Sequence, residues 1–339
     1  MSKNALARTG RAITAVLVAI AMICTGQSVV AHADVGNRDW LRPDNTGTCE
    51  WDASNYWVQR CDVYSPSMGK NITVLIQPAQ RGGDAAFYLL DGMRAETDFT
   101  GWVNYASAQA TYVDSNITLV MPLGGAGSFY TNWDSPASFS TARGTVYKWD
   151  TFLSVELPAY LQQNFGVNPT RNAIGGVSMG GTAALSLGAR HPQQFHQVLS
   201  YSGYAFTTFP GMETLIRLAL IDSGGYNLSS MYTSLFNPRR YAEDPFWNMD
   251  GLRGSDVYVA ASTGIPMGGD FTRPINEIVM GIALEQTAFY TTILWIAKAR
   301  LSGIPFTMDL MPGGIHNWGI WTEQLNKTKA RVLNYFNAW

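Results

Sequence analysis

Histidine and cysteine are scarce in this chain, and their scarcity removes whole classes of chemistry. The 339 residues hold only four histidines and three cysteines, and none of them cluster at the spacing a structural metal site needs. No metal and no cofactor is implied. A charge of one sign is missing too. The formal net charge is −2, and without a basic patch a nucleic-acid partner is not expected. Internal repeats and low-complexity linkers are absent. Beyond the N-terminus no apolar run reaches the roughly 20 residues of a spanning helix. The longest one near the middle, "LIRLALI", is short and contains Arg217. No integral membrane segment is therefore expected in residues 34–339.

What is present begins with a targeting signal. "MSKNALARTGR" carries Lys3, Arg8 and Arg11 and no acid, "AITAVLVAIAMIC" is apolar, and "SVVAHA" ends in a small-x-small pattern before Asp34. This layout predicts a secretory signal peptide over 1–33, cleaved between Ala33 and Asp34. Cys24 lacks the small residues that precede a lipidated cysteine. Export leaves Cys49 and Cys61, close in sequence, as one local disulfide. The exported chain, 34–339, has the length and the apolar, aromatic-rich composition of a single catalytic domain, expected to act as a monomer.

Strand and helix patterns alternate along it. "NITVLIQPA" (71–79), "AAFYLLDG" (85–92), "NITLVMPLGG" (116–125), "NAIGGVS", "QVLSYSG", "SDVYVAAST" and "PFTMDLMPGG" read as strands. Helical spacing marks 148–166, "GGTAALSLGARHP", 276–303 and the C-terminal "WTEQLNKTKARVLNYFNAW". Such alternation predicts an α/β fold with a mainly parallel sheet covered on both faces.

Between one of these strands and the next helix stands Gly176-Val177-Ser178-Met179-Gly180. G-x-S-x-G in that context is the nucleophile elbow of an α/β-hydrolase, which makes Ser178 the candidate nucleophile. Its base follows by elimination. His32 lies in the signal peptide, and His191 and His196 lie just past the elbow helix as surface or cap residues. His316, in "MPGGIHNWGIW", is downstream with room for an acid between. Asp270, Glu277 and Glu285 are the acid candidates. Glu285 stands in an apolar stretch, where a carboxylate needs a partner. The oxyanion hole calls for the backbone N–H of Met179 and a second one from "YLLDGMRAE", for which Met93 is the candidate.

These segments together resemble the antigen 85 type of mycolyltransferase. The resemblance is carried, in order, by "LLDGMRAE", "MPLGGAGSFYTNW", "YKWDTFL", "PAYLQQNFGVNPTRNA", "GGVSMGG", "HPQQF", "DSGGYN", "EDP" and "GIHNWGIW". It implies a Ser178–Glu285–His316 triad with Met93 and Met179 as oxyanion donors. It further implies sugar contacts from Asp91, Arg94 and Trp318, and a further one from Asn104. Asn317 departs from the serine usual in the family, and the family's cysteine near the site has no counterpart in "VAASTG". The implied activity is transfer of a mycoloyl group from trehalose monomycolate to a second one or to a cell-wall glycan. The implied location is the cell envelope. Two other readings stay open: a secreted carboxylesterase of the esterase D type, and a non-catalytic matrix-binding surface protein. A helical insert over about 203–250, rich in Phe, Leu, Ile and Met, reads by composition as the core of a subdomain. The resemblance reads it as a lid or channel for a fatty chain.

Overall fold

The computed structural model describes residues 49–137, 144–234 and 236–339. The expected signal peptide and its cleavage point at Ala33–Asp34 lie outside these residues. Among the described residues nine strands form one sheet in the order β1-β2-β3-β5-β4-β6-β7-β8-β9. They are β1 (Cys49–Trp51), β2 (Gln59–Ser65), β3 (Lys70–Gln77), β4 (Ala86–Leu90), β5 (Thr118–Pro122), β6 (Asn172–Val177), β7 (Phe195–Tyr201), β8 (Asp256–Ser262) and β9 (Thr307–Met311). The β1–β2, β2–β3 and β3–β5 pairs are antiparallel. From β5 through β9 every neighbouring pair is parallel.

The central strands "AFYLL", "TLVMP" and "NAIGGV" are buried along their whole length. That is why they read as continuous apolar runs, since both faces of a parallel sheet are covered. The five longer helices are α1 (Leu157–Phe165), α2 (Met179–Arg190), α3 (Met212–Gly224), α4 (Ile275–Leu301) and α5 (Trp318–Phe336), and all but α3 cover the sheet. On one face Val74, Ile76, Tyr88 and Ile174 pack with Leu157, Leu161 and Leu185. On the other, Leu75, Phe87, Leu89 and Leu119 meet Trp102, Leu325, Val332 and Phe336.

The structure departs from the sequence-based expectation in several places. The antiparallel β1–β2 hairpin went unread because β2 is "QRCDVYS", polar on every second residue; its inward side is Gln59, Cys61, Val63 and Ser65. Cys49 and Cys61 stand directly opposite each other in its register and form the disulfide. The helix expected over 148–166 is interrupted by a π-turn at Phe152–Glu156. Pro158 has no N–H to give the Ser154 carbonyl, so the turn before α1 widens. The expectation that no segment beyond the signal peptide reaches spanning length is corrected by α4. It has 27 residues, and an 18-residue window of it reaches a mean hydropathy of 1.2, enough to cross a membrane by length and composition alone. Here it lies against the sheet and carries a buried Glu285.

The stretch between β7 and β8 is helical, built from α3 and the short helices Leu228–Tyr232, Arg239–Ala242 and Pro245–Asn248. Composition suggested a packed core for it, but α3 buries only Met212 and Leu220. Leu215, Leu218 and Ile221 turn outward and are about half exposed.

Candidate active site

The site is assembled where the parallel strands end. β4 runs into Asp91-Gly92-Met93, β6 into Ser178, β7 into Ser202 and Tyr204, β8 ends at Ser262, and the loop after β9 carries His316. An open α/β sheet collects its functional groups at this carboxyl edge.

Ser178 sits at φ 55° and ψ −120°, a conformation that holds a non-glycine residue only under constraint. Its N–H donates to the Tyr201 carbonyl at 2.9 Å. The flanking glycines are required by space. A Cβ on Gly176 would lie 2.3 Å from the Gly180 carbonyl carbon, and one on Gly180 would lie 2.4 Å from the Leu90 oxygen. Strand, turn and helix therefore touch backbone to backbone, which fixes the spacing of the G-x-S-x-G pattern.

His316 Nε2 lies 2.8 Å from Ser178 Oγ, and its Nδ1 lies 2.6 Å from Glu285 Oε2. The His316 backbone N–H donates to the Gly281 carbonyl at 3.1 Å, tying the loop to α4 one turn before Glu285. Glu285 is fully buried. Its Oε1 accepts from the Ser262 N–H at 2.7 Å and from the Ser202 hydroxyl at 2.8 Å. Trp321 Nε1 donates to Ser202 Oγ at 3.1 Å, which leaves the Ser202 proton free to point at the carboxylate. A buried carboxylate with both oxygens satisfied can orient an imidazole and stabilise its protonated form.

The other acid candidates are engaged elsewhere. Asp270 accepts from the Met267 N–H and from Asn317 Nδ2. Glu277 is half exposed and pairs with Arg273 at 3.4 Å. His191 caps the end of α2 and bonds Asp150 at 2.8 Å; burial, with Arg190 beside it, lowers its pKa to about 4.

The Gly92–Met93 turn abuts Ser178: a Cβ on Gly92 would touch Ser178 Cβ at 3.5 Å. The Met93 carbonyl is held by the Gly127 N–H at 2.9 Å. Met179 opens α2, so its N–H has no partner within the helix. Its sulfur accepts the Phe129 N–H at 3.2 Å.

The sugar-contact candidates separate. Asp91 is buried, and its Oδ1 accepts from the Gly101 N–H at 3.2 Å. Burial pushes its pKa up to about 7 against the pull of Thr100 and Gly101. Arg94 is largely exposed and pairs with Asp222 on α3. Asn104 is exposed at the end of the short helix Gly101–Asn104. Trp318 lies edge-on to Trp102 at 5.4 Å and beside Tyr105 at 5.6 Å. A Cβ on Gly101 would collide with the Trp318 ring at 1.9 Å, so this aromatic wall depends on that glycine. Asn317 caps α5 by accepting the Gly319 N–H at 2.7 Å, a physical reason for its presence.

Ser202, Ser262, Tyr204 and Trp321 also belong to the site and were not singled out in the sequence. The signal for Ser202 was the small residue just past a strand in "YSG", and for Ser262 the small residue at a strand end in "AST"; Tyr204 and Trp321 carried no local signal.

Residues 65–332 match the family model described as putative esterase. Over 285 residues the chain is 36% identical to the diacylglycerol acyltransferase/mycolyltransferase Ag85C of Mycobacterium leprae, covering 83% of each. It is 37% identical over 288 residues to Ag85A of the same organism, covering 83% of this chain and 84% of that one. The chain belongs to the Ag85 family. Among solved structures, Mycobacterium tuberculosis MPT51 superposes with a TM-score of 0.71 at 28% identity, over 82% of this chain and 98% of that one.

Proposed function

We propose that this chain is a serine acyltransferase that moves a mycoloyl group from trehalose monomycolate to a second trehalose monomycolate or to cell-wall arabinogalactan. The observation that carries the reading is the continuous hydrogen-bonded line from Glu285 through His316 to Ser178 in a member of the Ag85 family. Ser178 Oγ attacks the donor ester while His316 Nε2 takes its proton, and Glu285 holds Nδ1–H and stabilises the imidazolium. The N–H groups of Met93 and Met179 bind the oxyanion. His316 protonates the departing sugar oxygen, leaving the acyl group on Ser178. A second sugar hydroxyl then attacks, with His316 as its base. Trp318, backed by Trp102 and Tyr105, offers an aromatic face for the sugar. Arg94 stands at its rim, and Asp91 supports the loop that carries Met93. Phe129, Ile216 and Met231 line a small cavity beside α2 together with Glu213, Arg240 and Glu243. The enzyme works outside the cell, in the envelope, once the signal peptide is removed.

Mass spectrometry of the exported enzyme with trehalose monomycolate tests the reading. Trehalose dimycolate is the expected product. Free mycolic acid alone would make the protein an esterase, and no turnover would end the enzymatic reading.

A further inference from the structure

Trp321 has no part in the mechanism so far, yet it touches three of its components. It stands in the first turn of α5, three residues after Trp318, and is buried. Its ring lies at 89° to the His316 ring, with centroids 5.0 Å apart. A second edge contact, at 5.2 Å and 86°, joins it to Trp318. Its Nε1 donates to Ser202 Oγ at 3.1 Å, and that hydroxyl donates to Glu285 Oε1 at 2.8 Å. One side chain therefore meets the base, the aromatic wall and, through Ser202, the acid.

The direction of this chain of hydrogen bonds is set by chemistry. An indole N–H donates and cannot accept. A hydroxyl turns about its C–O bond, and the indole on its lone pair removes the orientations in which its one proton would point that way. The proton is left for Glu285. The backbone of Ser202 adds to this. Its φ of 51° lies where a non-glycine residue stays only when its surroundings hold it. Its N–H donates to the Ala260 carbonyl at 2.7 Å. Glu285 Oε1 thus receives the Ser202 hydroxyl and the Ser262 N–H, while Oε2 meets His316 Nδ1. Two donors on Oε1 fix the rotation of the carboxyl group, and with it the direction of the bond to His316.

We propose that Trp321 is a positioning residue of the triad: its indole N–H holds the Ser202 hydroxyl as a donor to Glu285, and its ring walls His316. The inference rests on the acyl-enzyme reading above. Trp321 touches no reacting atom, so its effect passes through the orientation of Glu285 and His316. His316 takes the Ser178 proton in acylation and the acceptor's proton in breakdown. A loosened ring therefore slows both steps by the same factor. Binding of the acyl donor, which Trp321 is too buried to touch, should not change.

A double-mutant cycle tests this in the exported chain, with p-nitrophenyl butyrate as the acyl donor. Trp321→Phe removes the N–H and keeps an aromatic ring, Ser202→Ala removes the hydroxyl, and the double variant removes both. Single-turnover release of p-nitrophenolate at rising enzyme concentration gives the acylation rate constant and its half-saturation point. Decay of the butyrylated intact mass, in water and with trehalose added, gives breakdown. Enzyme concentration is counted from the protein that becomes butyrylated, so a misfolded fraction alters neither value. Trp321→Phe should slow both steps about three- to tenfold and leave half-saturation unchanged. In the Ser202→Ala background the same substitution should cost less than about twofold, because the group it acts through is gone. Should Ser202→Ala not fold, Ser202→Gly, which suits the φ of 51°, replaces it in the cycle. Equal losses in the two backgrounds would overturn the proposal, as would a change in half-saturation alone or slowing confined to the trehalose reaction. A parent that forms no butyryl adduct would end the acyl-enzyme reading itself, whereas variants that match an active parent would end only the role given to Trp321.

Discussion

Two buried carboxylates serve this site, and they are buried on opposite terms. Glu285 is fully enclosed, but its oxygens receive the Ser262 N–H, the Ser202 hydroxyl and the His316 ring. Asp91 is also enclosed, yet no cation among the described residues pairs with it, and its hydrogen bonds to Thr100 and Gly101 do not offset the loss of water. For Asp91, the donors that meet it are too few to outweigh its burial. Glu285 is placed to hold the His316 ring in position. Asp91 is placed to brace the Gly92–Met93 turn against Ser178.

The sharpest break in this comparison removes the group that one of the two acids serves. Ser178→Ala should abolish acyl-enzyme formation, with a loss of about 10⁴–10⁶ in rate and an unchanged fold, since alanine fits the turn. Intact-mass spectrometry after exposure to an active ester reads it directly, and acylation surviving in the variant would move the nucleophile elsewhere. Glu285→Gln comes next. The amide can still accept from Ser262 but cannot stabilise the imidazolium, so a loss of about 10³–10⁴ in kcat is expected. Glu277→Gln and Asp270→Asn should stay close to the parent, because these acids bond Arg273 and the Met267 turn instead. A dead Glu277→Gln enzyme with an active Glu285→Gln enzyme would reverse the assignment.

Asp91→Asn probes the other carboxylate through stability. The folded-state pKa near 7 lies above the ordinary 3.8. Between those values the folded protein keeps a proton that the unfolded chain has released. The group's favourable contribution is complete below about pH 4 and is lost as pH rises through about 7. Asparagine keeps an oxygen for the Gly101 N–H and does not ionise. The variant should therefore gain Tm relative to the parent at pH 8, gain less at pH 5 and gain nothing near pH 4. Parallel Tm profiles for the two proteins would show that Asp91 is not held in its acidic form.

The same contrast explains how much could be read in advance. The parallel half of the sheet was legible because strands buried on both faces are written as apolar runs, as in "AFYLL" and "TLVMP". The elbow was legible because backbone contact at Gly176 and Gly180 admits no side chain. His316 followed from scarcity, and Glu285 from a charge inside an apolar helix. The β1–β2 hairpin was not legible, since its inward positions include Gln59 and Ser65 and its pattern mimics a loop. Ser202, Ser262 and Tyr204 escaped notice because they act across the sheet edge. Residues from different strands meet there through the topology, and no local spacing records that meeting. The apolar insert was legible in part: Leu220, Leu228 and Met231 form a small buried cluster with Trp133, but Leu215, Leu218 and Ile221, spaced for one helical face, turn outward.

The smallest expected effect belongs to Arg94, where exposure limits what a charge can do. A buried charged hydrogen bond would be worth about 1.5–3 kcal/mol. Arg94 has a side chain 69% exposed, and its guanidinium is already paired with Asp222. A sugar hydroxyl must compete with that carboxylate and with water, which reduces the gain to that of a surface contact. If Arg94 steadies the acceptor, Arg94→Ala should leave acylation of Ser178 nearly intact and shift the fate of the acyl group. The share captured by sugar should fall about threefold relative to the share lost to water. Asp222→Ala should do the reverse by freeing the guanidinium for the acceptor. The ratio of trehalose dimycolate to free mycolic acid, at fixed trehalose monomycolate, measures both. Should the ratio stay constant in both variants while the overall rate changes, Arg94 and Asp222 form a surface clasp between the oxyanion loop and α3, and acceptor binding resides with the Trp318 wall.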